Sequence, residues 1–237
     1  MKLNKFIVVA GLAVGLGVSN ANAFVFWNNA SSTAGAGGNS VISWTGGGSD
    51  NGLFGSPDVV GDTFFFLANS NFDADANASN GYSQTTTDTL RVTVTAQGFG
   101  AFTEILFRSA GDYTVYGTGS SIDVSGSLTV TDANNLANTL GDPLHTTPLF
   151  PQIGNDLDVN AGEWSGFSSI DMSVFGFVTS IDVVFTNSLI ALCLPGETAS
   201  IATLPITEGA FSLTIVPAPA TALTALLGLG VFARRRR

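Results

Sequence analysis

The sequence is poor in the side chains on which most enzyme active sites depend. Among its 237 residues it has one cysteine, Cys193, and one histidine, His145. A lone cysteine forms no intramolecular disulfide, and one Cys with one His cannot assemble the usual transition-metal sites. A Ser–His–Asp triad would have to use His145, and no Gly-x-Ser-x-Gly motif occurs. We therefore expect that the protein is not an enzyme.

Positive charge is equally scarce in the body of the chain. Two of the eight Lys and Arg stand within the first five residues and four end the chain, which leaves Arg91 and Arg108. Residues 24–219 thus carry 2 Arg against 18 Asp and Glu, a net charge of −16. Such a domain lacks the basic surface that nucleic acid requires, and anionic lipid headgroups are a disfavoured partner.

The first 23 residues have the three parts of a secretory signal peptide. Lys2 and Lys5 precede an apolar run, Phe6–Val18, and Ala21-Asn22-Ala23 supplies a small-x-small cleavage site. As a helix the run would rise only about 20 Å, short of the roughly 30 Å hydrocarbon core of a bilayer. We expect cleavage after Ala23 and export of the remaining chain.

The other end of the chain, VPAPATALTALLGLGVFARRRR, combines a proline motif, an apolar run and a cluster of cations. The motif comprises Val216, Pro217, Ala218, Pro219 and Ala220. The run 220–233 would rise about 21 Å as a short helix, too little for a comfortable span. Positive flanks resist translocation, so a cytoplasmic position is expected for Arg234, Arg235, Arg236 and Arg237.

This arrangement resembles the PEP-CTERM sorting signal of Gram-negative bacteria, with Ala218 where the family motif has Glu. The resemblance implies that exosortase, an integral-membrane cysteine protease-transpeptidase, cuts near the motif and releases or transfers the protein. Signal peptidase and an exosortase-like enzyme are then the expected partners. The protein would be associated with the inner membrane transiently and would end at the cell surface or outside the cell.

Three other interpretations of the tail remain open. Leu204-Pro205-Ile206-Thr207 is followed by Glu208 and is a near miss to the Leu-Pro-x-Thr-Gly signal of sortases. A lipid-anchor signal would also have small residues and an apolar tail, although it normally lacks a terminal charge cluster. The short helix would alternatively remain as a permanent anchor.

Between the two ends the sequence predicts an all-β domain over residues 24–215. Apolar and polar residues alternate over 90–95, 122–131 and 211–215, and Gly, Asn, Asp and Pro separate these runs. We predict a single antiparallel β-sandwich, jelly-roll-like, with a loose Gly/Ser-rich segment at about 31–52. One or two helical turns are expected over 131–140.

One loop has the residue pattern of a cation site. Asp73, Asp75, Asn77 and Ser79 place oxygen side chains at alternate positions, as Ca²⁺ ligands often are. The pattern lacks the turn glycine and terminal glutamate of an EF-hand. Because Asp and Asn are also common loop residues, a merely polar loop is the alternative. Calcium is the one cofactor that we consider.

These observations predict a structural or adhesive protein of the cell surface or extracellular matrix. The alternative is a carbohydrate-binding module, with surface polysaccharide as partner. Trp164 is the tryptophan expected to be exposed for stacking on a sugar, whereas Trp27 and Trp44 are expected in the core. A secreted hydrolase would need two carboxylates at a defined separation. The four glutamates that could contribute are Glu104, Glu163, Glu197 and Glu208.

Overall fold

Strands built from alternating apolar and polar residues dominate the computed structural model, which describes residues 24–28, 35–68, 71–98, 100–154, 159–203 and 211–218. In these ranges two antiparallel sheets pack face to face as a sandwich, so the predicted all-β sandwich is confirmed. The strands, β1 to β16 in chain order, are Val25–Phe26, Gly37–Gly38, Ile42–Ser49, Asp58–Val60, Thr63–Phe65, Asp73–Ala76, Ser83–Ala96, Phe102–Tyr116, Ser121–Asp132, Asn135–Pro143, His145–Thr147, Gln152–Ile153, Asn160–Asp171, Ser180–Leu192, Thr198–Thr203 and Ser212–Pro217. A 3-10 helix, Met172–Phe175, precedes β14.

The two sheets are each built around long strands. Sheet A has the order β1-β3-β7-β14-β9-β10, with β2 added to β3 and β12 added to β9. Sheet B has the order β11-β13-β8-β16-β5-β4. Strand β8 is long enough that its first half pairs with β16 and its second half pairs with β15, which in turn pairs with β6.

The core is a layer of aromatic and branched side chains between the sheets. The alternating residues Leu90, Val92 and Val94 of β7 are buried, as the period of two predicts. Phe107 of sheet B stacks on Phe185 of sheet A with their ring planes 17° apart. Cys193 also belongs to this core, as do Trp27 and Trp44, as expected for both tryptophans.

The segment 131–140 is a β-hairpin, and the prediction of a helical turn there is wrong. Thr131 lies opposite Thr139, and their hydroxyl oxygens are 3.1 Å apart. Asp132 Oδ1 accepts the backbone N–H of Asn134 at 2.9 Å and stabilises the turn. Asp is favoured in turns as well as at helix N-caps, because its side chain bonds to backbone N–H groups two residues on.

The Gly-rich segment at 31–52 is largely structured from residue 35 onward, which corrects the prediction of a loose segment. Residues 42–49 form β3 and pair with β7. Gly47 lies against the ring of Trp27, and Gly37 lies against the ring of Trp44. A Cβ at either position would overlap an indole. The glycines are therefore required by the packing of the two tryptophans.

Candidate functional site

The last strand carries the first residues of the predicted sorting motif. Strand β16 buries Leu213 and Ile215 completely, with Phe211 just before it 2% exposed. Val216 lies opposite Glu104 and Pro217 lies opposite Phe102, both in β8. The strand therefore continues two residues beyond the predicted end of the domain at residue 215.

Hydrogen bonds extend this pairing to Ala218. The Thr103 hydroxyl donates to the Val216 carbonyl at 3.0 Å, and the Ala218 N–H donates to the Ala101 carbonyl at 2.5 Å. On the other side of β8, the Phe102 N–H donates to the Val178 carbonyl at 3.0 Å. Three chain segments thus lie side by side at residues 101–102, 178 and 216–218, next to the last residue that the structure describes.

We call this end of the sandwich the exit rim, defined by residues 100–102, 172–178 and 216–218. It exposes two apolar side chains, Val174 at 73% and Phe177 at 59%. Asp171 caps the 3-10 helix by accepting the Ser173 N–H at 2.8 Å. Hydrogen bonds from the Ser173 side chain and N–H hold the pKa of Asp171 below its ordinary value.

The remaining residues of the two predicted processing signals lie outside the described residues. This holds for the signal peptide 1–23 and for most of the C-terminal signal, including the run 220–233. The individual residues concerned are Ala21, Ala23, Pro219, Ala220, Arg234, Arg235, Arg236 and Arg237.

The four residues of the predicted calcium loop are divided between a strand and a turn. Asp73 and Asp75 lie in β6, and their side chains share the outer face of sheet B. Asn77 Oδ1 accepts the N–H groups of Ser79 and Asn80, at 2.8 and 2.9 Å. Asp75 Oδ2 accepts the side-chain amide of Asn80 at 2.9 Å. Asn77 Oδ1 and Asp75 Oδ2 therefore already accept hydrogen bonds, and the calcium site stays a prediction.

Pairing register brings other carboxylates toward Asp73. Asp73 lies opposite Ala202 of β15, Ala202 lies opposite Asp112 of β8, and Asp112 lies opposite Glu163 of β13. Neighbouring strands are about 4.8 Å apart, so Asp112 and Glu163 are adjacent while Asp73 is about 10 Å from Asp112. In the described part of the chain no group of three or more His, Cys, Asp or Glu is placed to hold a metal ion.

Trp164 lies in the core, and the expectation of an exposed ring at this position is wrong. Its side chain is 2% exposed, and its indole N–H donates to the Ala202 carbonyl at 3.1 Å. Gly111 lies directly opposite in β8 and leaves room for the ring. The ring of Phe150 meets it edge to face. Trp164 is thus unavailable for stacking on a sugar at the surface.

At the end of the sandwich opposite the exit rim, Glu197 joins two turns. Its carboxylate accepts the Gly119 N–H at 3.1 Å, the Ser120 hydroxyl at 3.1 Å and the Leu194 N–H at 3.2 Å. These bonds, chiefly the one from the Gly119 N–H, hold the pKa of Glu197 below its ordinary value of 4.5. The carboxylate thereby ties the β8–β9 turn to the β14–β15 turn.

His145 and Cys193 occupy different environments. His145 is exposed and its Nε2 lies 3.2 Å from Asp142 Oδ1, while Asp142 Oδ2 accepts the N–H of Ser169. Cys193 is 5% exposed. Burial, with the nearby carboxylates of Glu197 and Asp75, raises the pKa of the Cys193 thiol. A raised pKa disfavours the thiolate form that a nucleophile requires.

The outer face of sheet A is a surface of hydroxyl groups. Its strands β7, β14, β9 and β10 turn Ser and Thr outward, and many of these residues face one another across strands. The hydroxyl pairs, at oxygen separations of 2.8 to 3.1 Å, are Thr87–Ser188, Thr89–Thr186, Thr95–Ser180 and Thr131–Thr139. The alternation of apolar and polar residues predicted that each strand has a solvent-exposed face. It did not predict which strands would lie side by side to form this hydroxyl-rich surface.

Comparisons with known proteins assign no family. The sequence matches no protein family and no curated protein. Among solved structures, a chain of infectious bursal disease virus, Gx strain, aligns over 75% of this chain with 11% sequence identity and a TM-score of 0.12. The alignment covers 52% of the viral chain, so this chain spans about half of its length. A TM-score this low carries no conclusion about fold or function.

Helices are nearly absent from the described ranges. None that they contain is long and apolar enough to cross a membrane.

Proposed function

We propose that this chain is an exported bacterial protein of the cell surface or extracellular matrix, with a structural or adhesive role. An exosortase-like enzyme processes its C-terminal end. The observation that carries this proposal is the position of the predicted motif. Val216, Pro217 and Ala218 lie at the exit rim, and the apolar run begins two residues later.

The body of the domain fits this role. It has an extensive aromatic core and its lone cysteine is buried, so it needs no disulfide outside the cytoplasm. Its outer faces are rich in hydroxyl and carboxylate groups, which suit a hydrated matrix. None of these features depends on a bound cofactor.

Intact-mass analysis of the exported protein tests the proposal. We expect a chain that begins at Phe24 and ends between Ala218 and Ala220, because residues up to Ala218 are held in sheet B. Recovery of chains that retain Arg234–Arg237 outside the cell would contradict the proposed processing. A C-terminus at Thr207 would instead support the sortase-like interpretation.

Replacement of Arg234–Arg237 by Ser tests the role of the terminal cations. Because positive flanks resist translocation, we expect faulty retention in the membrane and less processed protein. The measurement is a pulse-chase comparison of precursor and product, with Arg91→Ser as a control in the body. Unchanged processing kinetics would show that the terminal arginines have no role.

Carbohydrate binding is the second candidate, and the outer face of sheet A favours it. Paired hydroxyls there present regularly spaced donors and acceptors to a polyhydroxylated ligand. We expect polysaccharide binding by the exported protein to weaken in a Thr89→Val, Thr186→Val variant. Thr114→Val on the outer face of sheet B is the matched control. Equal binding by all three proteins would exclude this face as the ligand site.

A further inference from the structure

We propose that the exit rim rests on the lipid surface while the C-terminal tail is in the membrane, with Val174 and Phe177 in contact with the bilayer interface. The inference rests on the proposed function, since it requires the apolar tail to enter a membrane. The exit rim would then be an interaction surface of the folded domain, with lipid as its partner.

Only a short stretch of chain connects the domain to the apolar run. The Ala218 N–H is bonded to the Ala101 carbonyl in sheet B, and the run begins at Ala220. Two extended residues span at most about 7 Å. When residues 220–233 enter the hydrocarbon core, the end of β16 therefore lies within the headgroup region, which has a comparable depth on each side of the bilayer.

The exposed apolar side chains lie close to the end of β16. Val178, Phe102 and Pro217 lie on three adjacent segments of chain, and such segments are about 4.8 Å apart. Phe177 is therefore within roughly 15 Å of Ala218. The domain cannot approach the membrane by β16 without bringing this side chain to the same surface.

The charged side chains nearest the exit rim are carboxylates. Asp171 and Glu104 lie beside the exit rim, whereas Arg108 lies six residues further along β8 than Phe102, about 20 Å away. Anionic headgroups would be repelled by these carboxylates. We therefore assign the contact to zwitterionic lipid, made through apolar side chains and insensitive to salt.

A pair of labelled variants of the chain from Phe24 to Arg237 tests the inference, because the apolar run of the signal peptide would otherwise bind the vesicles by itself. In a Cys193→Ala background, a fluorophore is attached to Phe177→Cys or to Leu194→Cys, which replace side chains 59% and 56% exposed. The two positions flank opposite ends of β14, so they lie about 40 Å or more apart. Val174→Cys gives a second probe of the exit rim if Phe177→Cys folds poorly.

The labelled chains are reconstituted into phosphatidylcholine vesicles that contain a nitroxide-labelled lipid as quencher. We expect the label at position 177 or 174 to be quenched several-fold more strongly than the label at position 194, at low and at high salt. Equal quenching at both ends of β14, in chains that float with the vesicles, would overturn the contact and leave the proposed function intact. Chains that do not float with the vesicles would overturn membrane insertion of the tail, and with it both proposals.

Discussion

Some glycines of this domain are important because the absence of a Cβ atom leaves space for a tryptophan ring. Gly47 in β3 lies against the Trp27 ring, and Gly111 in β8 lies against the Trp164 ring. In both cases the glycine removes a Cβ so that an indole can enter the core. Composition suggested a loose N-terminal segment because glycine is common in loops, but here glycine is a packing residue.

We predict that Gly47→Ala lowers the free energy of unfolding by about 1–3 kcal/mol, the usual cost of overpacking a core. The added methyl group would overlap the Trp27 ring, which is 2% exposed and has little freedom to move. Denaturant unfolding measures the change. Gly141→Ala is the control, because a Cβ there meets its nearest neighbour at 3.6 Å. Equal stability of the two variants would show that the indole shifts without cost.

We predict that Glu197→Gln lowers the thermal unfolding temperature at neutral pH and that this difference disappears in acid. The folded-state pKa of Glu197 lies below 4.5, so its carboxylate stabilises the fold above that pH. The stabilisation is lost as the pH falls through the lower folded-state value. Unfolding temperature measured from neutral pH to below 4.5 gives the test, with Glu104→Gln as control. A difference that persists at low pH would exclude ionisation as its cause.

At the scale of elements, β16 connects the core of the domain to the predicted sorting motif, whose first residues it carries. It supplies buried residues to the core and lies between β8 and β5 in sheet B. We predict that a chain ending at Ala218 unfolds at the same temperature as one that keeps the tail, because Ala218 is the last of the described residues whose backbone bonds to sheet B.

A chain ending at Thr203 lacks β16, and we predict that it does not fold cooperatively. The loss of β16 would expose Phe107 and Ile105 of β8 to solvent, and both are fully buried in the complete domain. Circular dichroism and thermal unfolding of the two truncated chains measure the effect. Cooperative unfolding of the chain ending at Thr203 would mean that β16 is dispensable for the fold.

Strands with strict alternation, such as β7 and β9, could be predicted because a period of two is a local property of the sequence. Burial of Trp164 could not, since it depends on Gly111 of another strand lying directly opposite. The row from Asp73 to Glu163 is likewise a product of register across four strands. The exit rim required knowing that residues 172–178 lie beside β8. Each feature that the sequence did not predict depends on a contact between residues that are distant in the sequence.

On the scale of the whole molecule, negative charge is distributed unevenly. The outer face of sheet B carries Asp73, Asp75, Asp112 and Glu163, whereas the outer face of sheet A carries mainly hydroxyl groups. Like charges directly opposite one another, such as Asp112 and Glu163, destabilise a sheet. Screening of this repulsion should therefore stabilise the domain.

We predict that calcium and magnesium raise the unfolding temperature equally at the same ionic strength, and that Asp75→Ala leaves both responses unchanged. Screening of a net charge of −16 does not distinguish the two ions. If Asp73, Asp75, Asn77 and Ser79 form a calcium site, calcium should instead raise the unfolding temperature more than magnesium does. With calcium at a hundred times the dissociation constant of such a site, binding would add about 2.7 kcal/mol to the free energy of unfolding. Magnesium would add no such increment. Loss of such an increment in Asp75→Ala would establish that site.

The strand order also sets when the fold can be completed. Strand β14 lies between β7 and β9, and β16 lies between β8 and β5, although both are among the last three strands of the described chain. A chain threaded through a narrow channel with its N-terminal end first would have gaps in both sheets until its final strands emerged. Neither sheet could then be completed early, because the strands on either side of β14 and β16 would have to wait for those two strands before pairing. Such a chain would complete its fold only after its last strands had left the channel.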